Sequence, residues 1–269
     1  MILILLTLLS MGPTAESYGW QRLDDGLYVG EFDPKQKSKI WNHKIVILKI
    51  DPKFYSFRLL SASEHDRKSR TVKQWCNEFG LVAAINASMY QSTDQLKSTG
   101  YMKNYSHFNN SQINRHFGSL MLFNPIESSL PKVRIIDRRF QKDWKGLVKK
   151  YNSVVQNYRM ITNGKKMGWA QQAKRYSTAA IGVDTDDNVL FILSRSPYST
   201  HDFIHILLSL PIHIKNAMYA EGGPQATLYF ETNGTEVRLT GSYDTDVTGY
   251  DAHESVGAIP NVIAIVERK

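Results

Sequence analysis

Glu221-Gly222-Gly223 is the stretch of this chain best suited to chemistry. It follows a compact apolar run at 216–220 that reads as a buried strand, so the carboxylate is expected where that strand ends. Two adjacent glycines let the backbone approach a ligand closely and adopt positive φ. Successive N–H groups in such a turn can form an anion-binding nest. Pro224 has no N–H, which leaves Gly222, Gly223 and Gln225 as donors. A carboxylate beside a nest suits an anionic substrate whose reacting centre needs a base or a nucleophile. The competing reading is a tight turn with a solvated glutamate.

Three other segments carry side chains of the right type. Asn86 stands at the exit of the apolar run 81–85 and is followed by Ala87-Ser88-Met89-Tyr90. Its amide could hydrogen-bond a sugar hydroxyl or a phosphoryl oxygen, or close an Asx turn. Arg159 lies in Gln156-Asn157-Tyr158-Arg159-Met160-Ile161. An arginine fork can grip phosphate through two parallel hydrogen bonds, or serve a partly buried ion pair. Lys174-Arg175-Tyr176-Ser177-Thr178 feeds a strand that starts at Ala179.

Metal chemistry has weaker support. His201 and His205 are four apart on a predicted helix, the spacing of two ligands to one ion, but no third ligand is near in sequence. His253-Glu254 follows a Gly/Asp/Thr-rich stretch at 240–249 whose oxygens suit Ca²⁺ but lack an EF-hand pattern. The expectation is no metal and no cofactor, with a divalent cation such as Ca²⁺ or Mg²⁺ left open.

The elements that must position these groups read mostly as strands. Segments 26–32, 44–50 and 55–60 alternate or run apolar, and Asp51-Pro52-Lys53 makes a turn between the last two. Thr71 can cap a short helix to Asn77 that hides Val72, Trp75 and Cys76. Residues 88–117 are rich in Ser, Asn, Tyr and Gln, and a stretch this long without a packing pattern is usually functional or mobile. Strands are expected at 119–123 and 132–136, and a helix at 143–151. Segments 179–184 and 189–194 form a hairpin across 185–188. Ser199 or Thr200 caps a helix to about Ser209 with Phe203, Ile206, Leu207 and Leu210 as its stripe, and Pro211 ends it. A strand at 226–230 leads to a hairpin signal at Asn233-Gly234, and 259–266 closes the chain as a buried strand. The expected class is α+β: mixed, strand-rich sheets with a few packed helices in a single domain.

Bulk properties speak to the compartment. Met1–Met11 is apolar apart from Thr7 and Ser10. It is too short to cross a hydrocarbon core, which takes about 20 helical residues, and it matches the apolar region of a secretory signal. Ala15-Glu16-Ser17 offers small residues for cleavage before Tyr18, so residues 1–17 are expected to be a signal peptide and 18–269 the working domain. This implies a periplasmic or secreted protein with no stable membrane insertion. Cys76 is the sole cysteine, so the fold must stand without an internal disulfide. The net charge of +8 favours anionic envelope glycans or phosphate-bearing surfaces. Basic residues occur only in short clusters such as Lys35-Gln-Lys-Ser-Lys39, with no nucleic-acid-binding signature, so nucleic acid is not an expected partner.

Taken in order, Ala84-Ile-Asn-Ala-Ser-Met-Tyr90, Gln156-Asn-Tyr-Arg-Met-Ile161, Ser177-Thr-Ala-Ala-Ile-Gly-Val-Asp184 and Ala217-Met-Tyr-Ala-Glu-Gly-Gly-Pro-Gln-Ala-Thr-Leu-Tyr229 resemble the phosphodiester glycosidase family, that is, N-acetylglucosamine-1-phosphodiester alpha-N-acetylglucosaminidase-like domains. Ile259-Pro-Asn-Val-Ile263 looks like the family's last strand, so the resemblance covers about residues 40–266. Glu221-Gly-Gly-Pro224 replaces the usual Asp-Gly-Gly and looks like a bacterial branch. The resemblance implies hydrolysis of a sugar phosphodiester at the anomeric carbon of a phosphate-bearing glycan or polysaccharide. It implies Glu221, Asn86 and Arg175 as catalytic residues, and Gly222, Gly223, Arg159, Tyr90 and Ser177 as substrate-binding residues. The alternative is a non-catalytic envelope protein that binds glycan or phosphate in the same cleft.

Overall fold

The computed structural model describes residues 19–35, 44–242 and 257–268. The expected signal peptide, most of the Lys35–Lys39 cluster, most of 240–249 and the His253-Glu254 pair lie outside the described residues.

The chain starts with β1 (Trp20–Asp24), β2 (Leu27–Phe32), β3 (Ile45–Ile50) and β4 (Tyr55–Ser61). Helix α1 (Val72–Phe79) leads into β5 (Ala83–Asn86), followed by β6 (Met102–Asn104), β7 (His107–Asn110), β8 (Ser119–Pro125) and β9 (Val133–Asp137). After the short helix α2 (Trp144–Val148) come β10 (Tyr151–Asn157), β11 (Arg159–Thr162) and β12 (Lys165–Lys166). The hairpin β13 (Tyr176–Asp184) and β14 (Val189–Tyr198) is followed by α3 (Thr200–Ser209) and β15 (Ile214–Gly222). The last strands are β16 (Thr227–Thr232), β17 (Thr235–Thr240) and β18 (Asn261–Glu267).

These strands build three sheets, in the orders β1-β2-β3-β14-β13-β15-β11-β12, β7-β6-β10-β8-β9 and β17-β16-β5-β18-β4. The molecule is mostly β. Every pairing among the described strands is antiparallel, which corrects the expectation of a mixed sheet. The physical reason lies in the one long helical connection of the large sheet. Helix α3 joins β14 to β15, but β13 lies between them and runs against both, so two parallel strands never become neighbours.

Local chemistry explains most element ends. Thr71 caps α1 through a reciprocal box: Gln74 N–H donates to its hydroxyl (3.2 Å) and Thr71 N–H donates to Gln74 Oε1 (2.9 Å). Gly80 ends the helix in the left-handed region at φ 61°. Ser199 caps α3 by accepting from Asp202 N–H (3.1 Å). In the turn between β13 and β14, the Asp184 carboxylate accepts from Asp186 N–H and Asn188 N–H (2.9 and 2.8 Å). At the tip joining β16 to β17, Asn233 and Gly234 both take positive φ, as a primed hairpin turn requires.

One apolar cluster draws on all three sheets, with Leu48, Leu59, Ile85, Phe123, Phe191, Leu228 and Ile263 among its members. The opposite face of the large sheet packs Ile192, Ala217 and Tyr219 under Phe203 and Leu207 of α3. Each such fully buried side chain contributes about 1.5–3 kcal/mol. Cys76 is buried under α1, where desolvation pushes its thiol up to about 12, so it packs as an inert apolar group.

Three regions depart from expectation. The helix expected at 143–151 is only Trp144–Val148, and Tyr151 opens β10, the centre of its sheet. Strand β10 is buried on both faces, so it shows no polar alternation. Residues 88–117 are ordered by a buried polar network. Gln156 of β10 is its hub, donating to the carbonyls of Asn114 and Phe117 (both 2.8 Å) and accepting from Tyr101 N–H (3.1 Å) and Asn114 N–H (2.9 Å). Ser98, Asn109 and Asn110 extend it. Finally, β15 runs on through Glu221 and Gly222 instead of stopping at Ala220.

Candidate active site

Glu221 therefore sits within a strand, at a bulge. On β13, Ala179 pairs with Glu221 and the next residue, Ala180, pairs with Tyr219, so Ala220 is the extra residue. The Ala220 carbonyl is taken by the Asn157 side-chain amide at 3.3 Å. Directly opposed residues on antiparallel strands share a face, so Glu221 lies on the face of Ala179, which belongs to the three-sheet core.

The residue is 9 % exposed. Burial pushes its carboxyl up to about 7, while the Gly222 N–H, which donates to Oε1 at 3.0 Å, works the other way. Among the described residues Glu221 has no ion pair. A carboxyl that is half protonated near neutral pH can give or take a proton there.

The glycines do different work from that expected. Gly222 is extended at φ −140° and spends its N–H on Glu221, so consecutive free donors of a nest are not presented here. A Cβ on Gly222 would overlap the Tyr219 hydroxyl and press on the Tyr176 ring at 2.8 Å. Gly223 takes φ 70°, where an L side chain is strained, and its carbonyl accepts from Ala226 N–H (3.0 Å) to close a 3-10 turn over Gly223–Gln225.

Asn86 comes to this turn from the end of β5, as its position in sequence foretold, but both ends of its amide are occupied. It donates to Gln225 O (2.9 Å) and accepts from Thr227 N–H (2.7 Å). Ser177 is likewise engaged, donating to Arg195 O and accepting from Ser242 N–H (2.7 Å). A Cβ on Gly241 would overlap Gly223 O and meet Ser177 Cβ at 2.5 Å, so this latch packs against the Gly223 turn. Glu221, Gly222, Gly223, Asn86 and Ser177 thus share one neighbourhood.

Of the other expected residues, Arg159 and Tyr90 are held by partners outside this turn. Arg159 turns toward Gly118 and Asp137 and donates to Asp137 Oδ1 at 3.3 Å. Tyr90 is half-buried and bridged to Ser98 in the polar segment. Arg175 is exposed just ahead of β13. His201 and His205 stack at 4.6 Å, with His201 Nδ1 3.2 Å from Asp202 Oδ1, and no group of three or more metal-capable side chains occurs among the described residues.

Two features escaped sequence reasoning. Thr178, opposite both Gly222 and Ser194, is 1 % exposed, and its hydroxyl has no hydrogen-bond partner among the described residues. Leaving such a group unpaired costs about 1–3 kcal/mol. Strand alternation was the available signal, since it puts Thr178 and Ser177 on opposite faces. The second is an aromatic row, Phe117–Tyr158–Trp169–Tyr219–Tyr176, with ring centroids 4.2, 5.4, 6.2 and 6.5 Å apart in turn, which ends over Gly222.

The antiparallel fold thus delivers one buried carboxyl, without an ion pair among the described residues, to a glycine turn. The model of the phosphodiester glycosidase family matches residues 79–266, and the chain belongs to that family. The catalytic domain of zebrafish N-acetylglucosamine-1-phosphodiester alpha-N-acetylglucosaminidase, auto-inhibited by its pro-peptide, has a similar structure. Its TM-score is 0.60 at 11 % identity over 95 % of this chain and 86 % of that one. A hypothetical protein from Synechocystis is similar at a TM-score of 0.58 and 12 % identity over 94 % of this chain, which spans 65 % of that protein's length. Likeness at such low identity shows the fold. A comparison with curated proteins finds no match.

Proposed function

We propose that this protein is an exported hydrolase that cleaves a glycosyl phosphodiester at the anomeric carbon, on a phosphate-bearing envelope glycan, with Glu221 as general base. The observation that carries the reading is the Glu221 carboxyl, raised to about 7 by burial and held beside Gly222 without an ion pair to the described residues. A base with this affinity takes a proton from water efficiently at neutral pH. A nucleophilic carboxylate would instead be kept ionised by cationic neighbours.

In the proposed step a water oxygen attacks the anomeric carbon and gives its proton to Glu221. The bond from that carbon to the phosphate oxygen breaks, and its electron pair leaves with the phosphomonoester. That leaving group is stable as an anion and needs little acid assistance. Asn86 and Asn157 act as positioning residues, the first through the Gln225–Thr227 backbone and the second through Ala220 O. Export rests on the Met1–Met11 apolar run and Ala15-Glu16-Ser17.

A silent binding protein would have no use for a carboxyl kept near neutrality, so the catalytic reading is preferred. The test is release of free sugar from a panel of sugar-1-phosphodiesters. Glu221→Gln should fold normally by circular dichroism and lose at least about a hundredfold in turnover. Undiminished turnover by Glu221→Gln would remove Glu221 from the chemistry.

A further inference from the structure

We propose that the arginine-lined cleft between β8, β9 and β11 is a phosphate-binding site distinct from the Glu221 centre. It comprises a hollow of about 280 Å³ lined by Arg115, His116, Gly118, Arg138, Arg139, Trp144 and Arg159. A second hollow of about 300 Å³ shares His116 and Arg159 and adds Tyr158 and Trp169. Together they reach the size of small-molecule sites, about 300–1,000 Å³.

The charge in this cleft is one-sided. Four arginines line it and, among the described residues, no carboxylate does. The one acid in contact is Asp137, whose side chain is 1 % exposed beneath the floor. Its oxygens are already divided among Arg159 Nη1 (3.3 Å), Thr162 Oγ1 (3.1 Å) and Arg139 N–H (2.9 Å). Arg138 feels both burial and the like charge of Arg159, and each disfavours its protonated form. Such mutual repulsion is relieved when an anion enters.

Two of the guanidinium groups, those of Arg138 and Arg159, are also held in place, while Arg115 and Arg139 are exposed at the rim. Arg138 lies over the Trp144 ring at 5.1 Å and reaches the carbonyls of Asn114 and Arg115 at 3.3 and 3.5 Å. Its Nε is buried with no partner. Arg159 packs against Gly118, where a Cβ would come within 2.6 Å of Nη1 and 3.0 Å of Cδ. Arg115 Nε donates to His116 Nε2 at 3.2 Å. Fixed, planar donor forks suit the oxygens of a phosphate group, and the neighbouring Tyr158 and Trp169 rings suit a sugar that carries it.

The site is separate from the reaction centre. Neither hollow is lined by Glu221, Gly222, Gly223, Asn86 or Ser177; Arg159 pairs with Met218, and with Ala220 bulged out Glu221 lies two register positions further along, about 7 Å at the usual strand rise. Binding can therefore be measured without turnover. Wild-type protein is titrated at constant ionic strength with inorganic phosphate, glucose 6-phosphate and glucose, with calorimetry as the readout. Both anions should bind saturably and glucose should not. R138Q and the exposed-site variant R115Q should each weaken binding, R138Q by about tenfold or more, while E221Q binds as wild type. Tighter binding of glucose 6-phosphate than of phosphate assigns the site to a phosphate carried on sugar, and equal binding assigns it to free phosphate. The proposal is overturned if neither anion saturates, if glucose binds as well as the anions, or if R115Q and a folded R138Q both bind phosphate like wild type.

Discussion

The Tyr219 hydroxyl occupies the space that a side chain on Gly222 would need. Gly222 is extended, so its conformation is open to any residue and the restriction is purely steric. Gly222→Ala should therefore destabilise the fold by about 1–3 kcal/mol through overpacking and lower activity with it. Adding Tyr219→Phe deletes the nearest atom and should recover part of the loss. A double-mutant cycle from urea melts checks this, and simple additivity of the two losses would refute it.

The Glu221 carboxyl also makes stability depend on pH. Its affinity rises from an ordinary value of 4.5 to about 7 on folding, so between those values the folded protein holds more protons than the unfolded chain. Stability then falls as pH rises through that window and stays lower above it. A shift of this size corresponds to up to roughly 3 kcal/mol. Glu221→Gln cannot ionise, so it should be the more stable protein at pH 8 and match wild type at pH 4. Paired thermal melts at the two values decide it.

The rate should move the other way. A general base works only when ionised, so kcat/KM for a sugar-1-phosphodiester should climb with pH to a plateau above about 7, falling about tenfold per unit below it. A rate that instead falls as pH rises through 7 would make Glu221 the proton donor.

Thr178 separates packing from ligand contact. Its hydroxyl has no partner among the described residues, so Thr178→Val should keep or raise the melting temperature, because a buried unpaired polar group is removed. Turnover should be unchanged, because Thr178 is buried on the sheet face opposite Glu221. A lower melting temperature would mean the hydroxyl was already paired.

What could be read in advance was local. The Thr71 cap, the Ser199 cap, the hairpin at 185–188 and the delivery of Asn86 by an apolar strand all follow from residues within a few positions of one another. The bulge that turns Glu221 toward the core depends on Asn157, 63 positions earlier, taking the Ala220 carbonyl. Strand β10 was hidden because Ser153, Gln156 and Asn157 are buried polar residues that interrupt its apolar run. The arginine cleft gathers residues 115, 138, 139 and 159 from different elements, and no spacing rule connects them. Nor could side-chain type alone show that Asn86 and Ser177 would have their hydrogen-bonding capacity taken up by backbone.

The bond between Asn86 and Thr227 joins positions 141 apart, and β5 lies between β16 and β18, both from the far end of the chain. Pairings of such long range are slow to form, because the chain loses loop entropy before any contact repays it. The reaction centre is thus absent from any nascent or truncated chain that lacks β16. During refolding from denaturant, enzymatic turnover should return with the slowest phase, after most strand signal has recovered. Turnover, if regained there, would serve as a clock for the last event of folding.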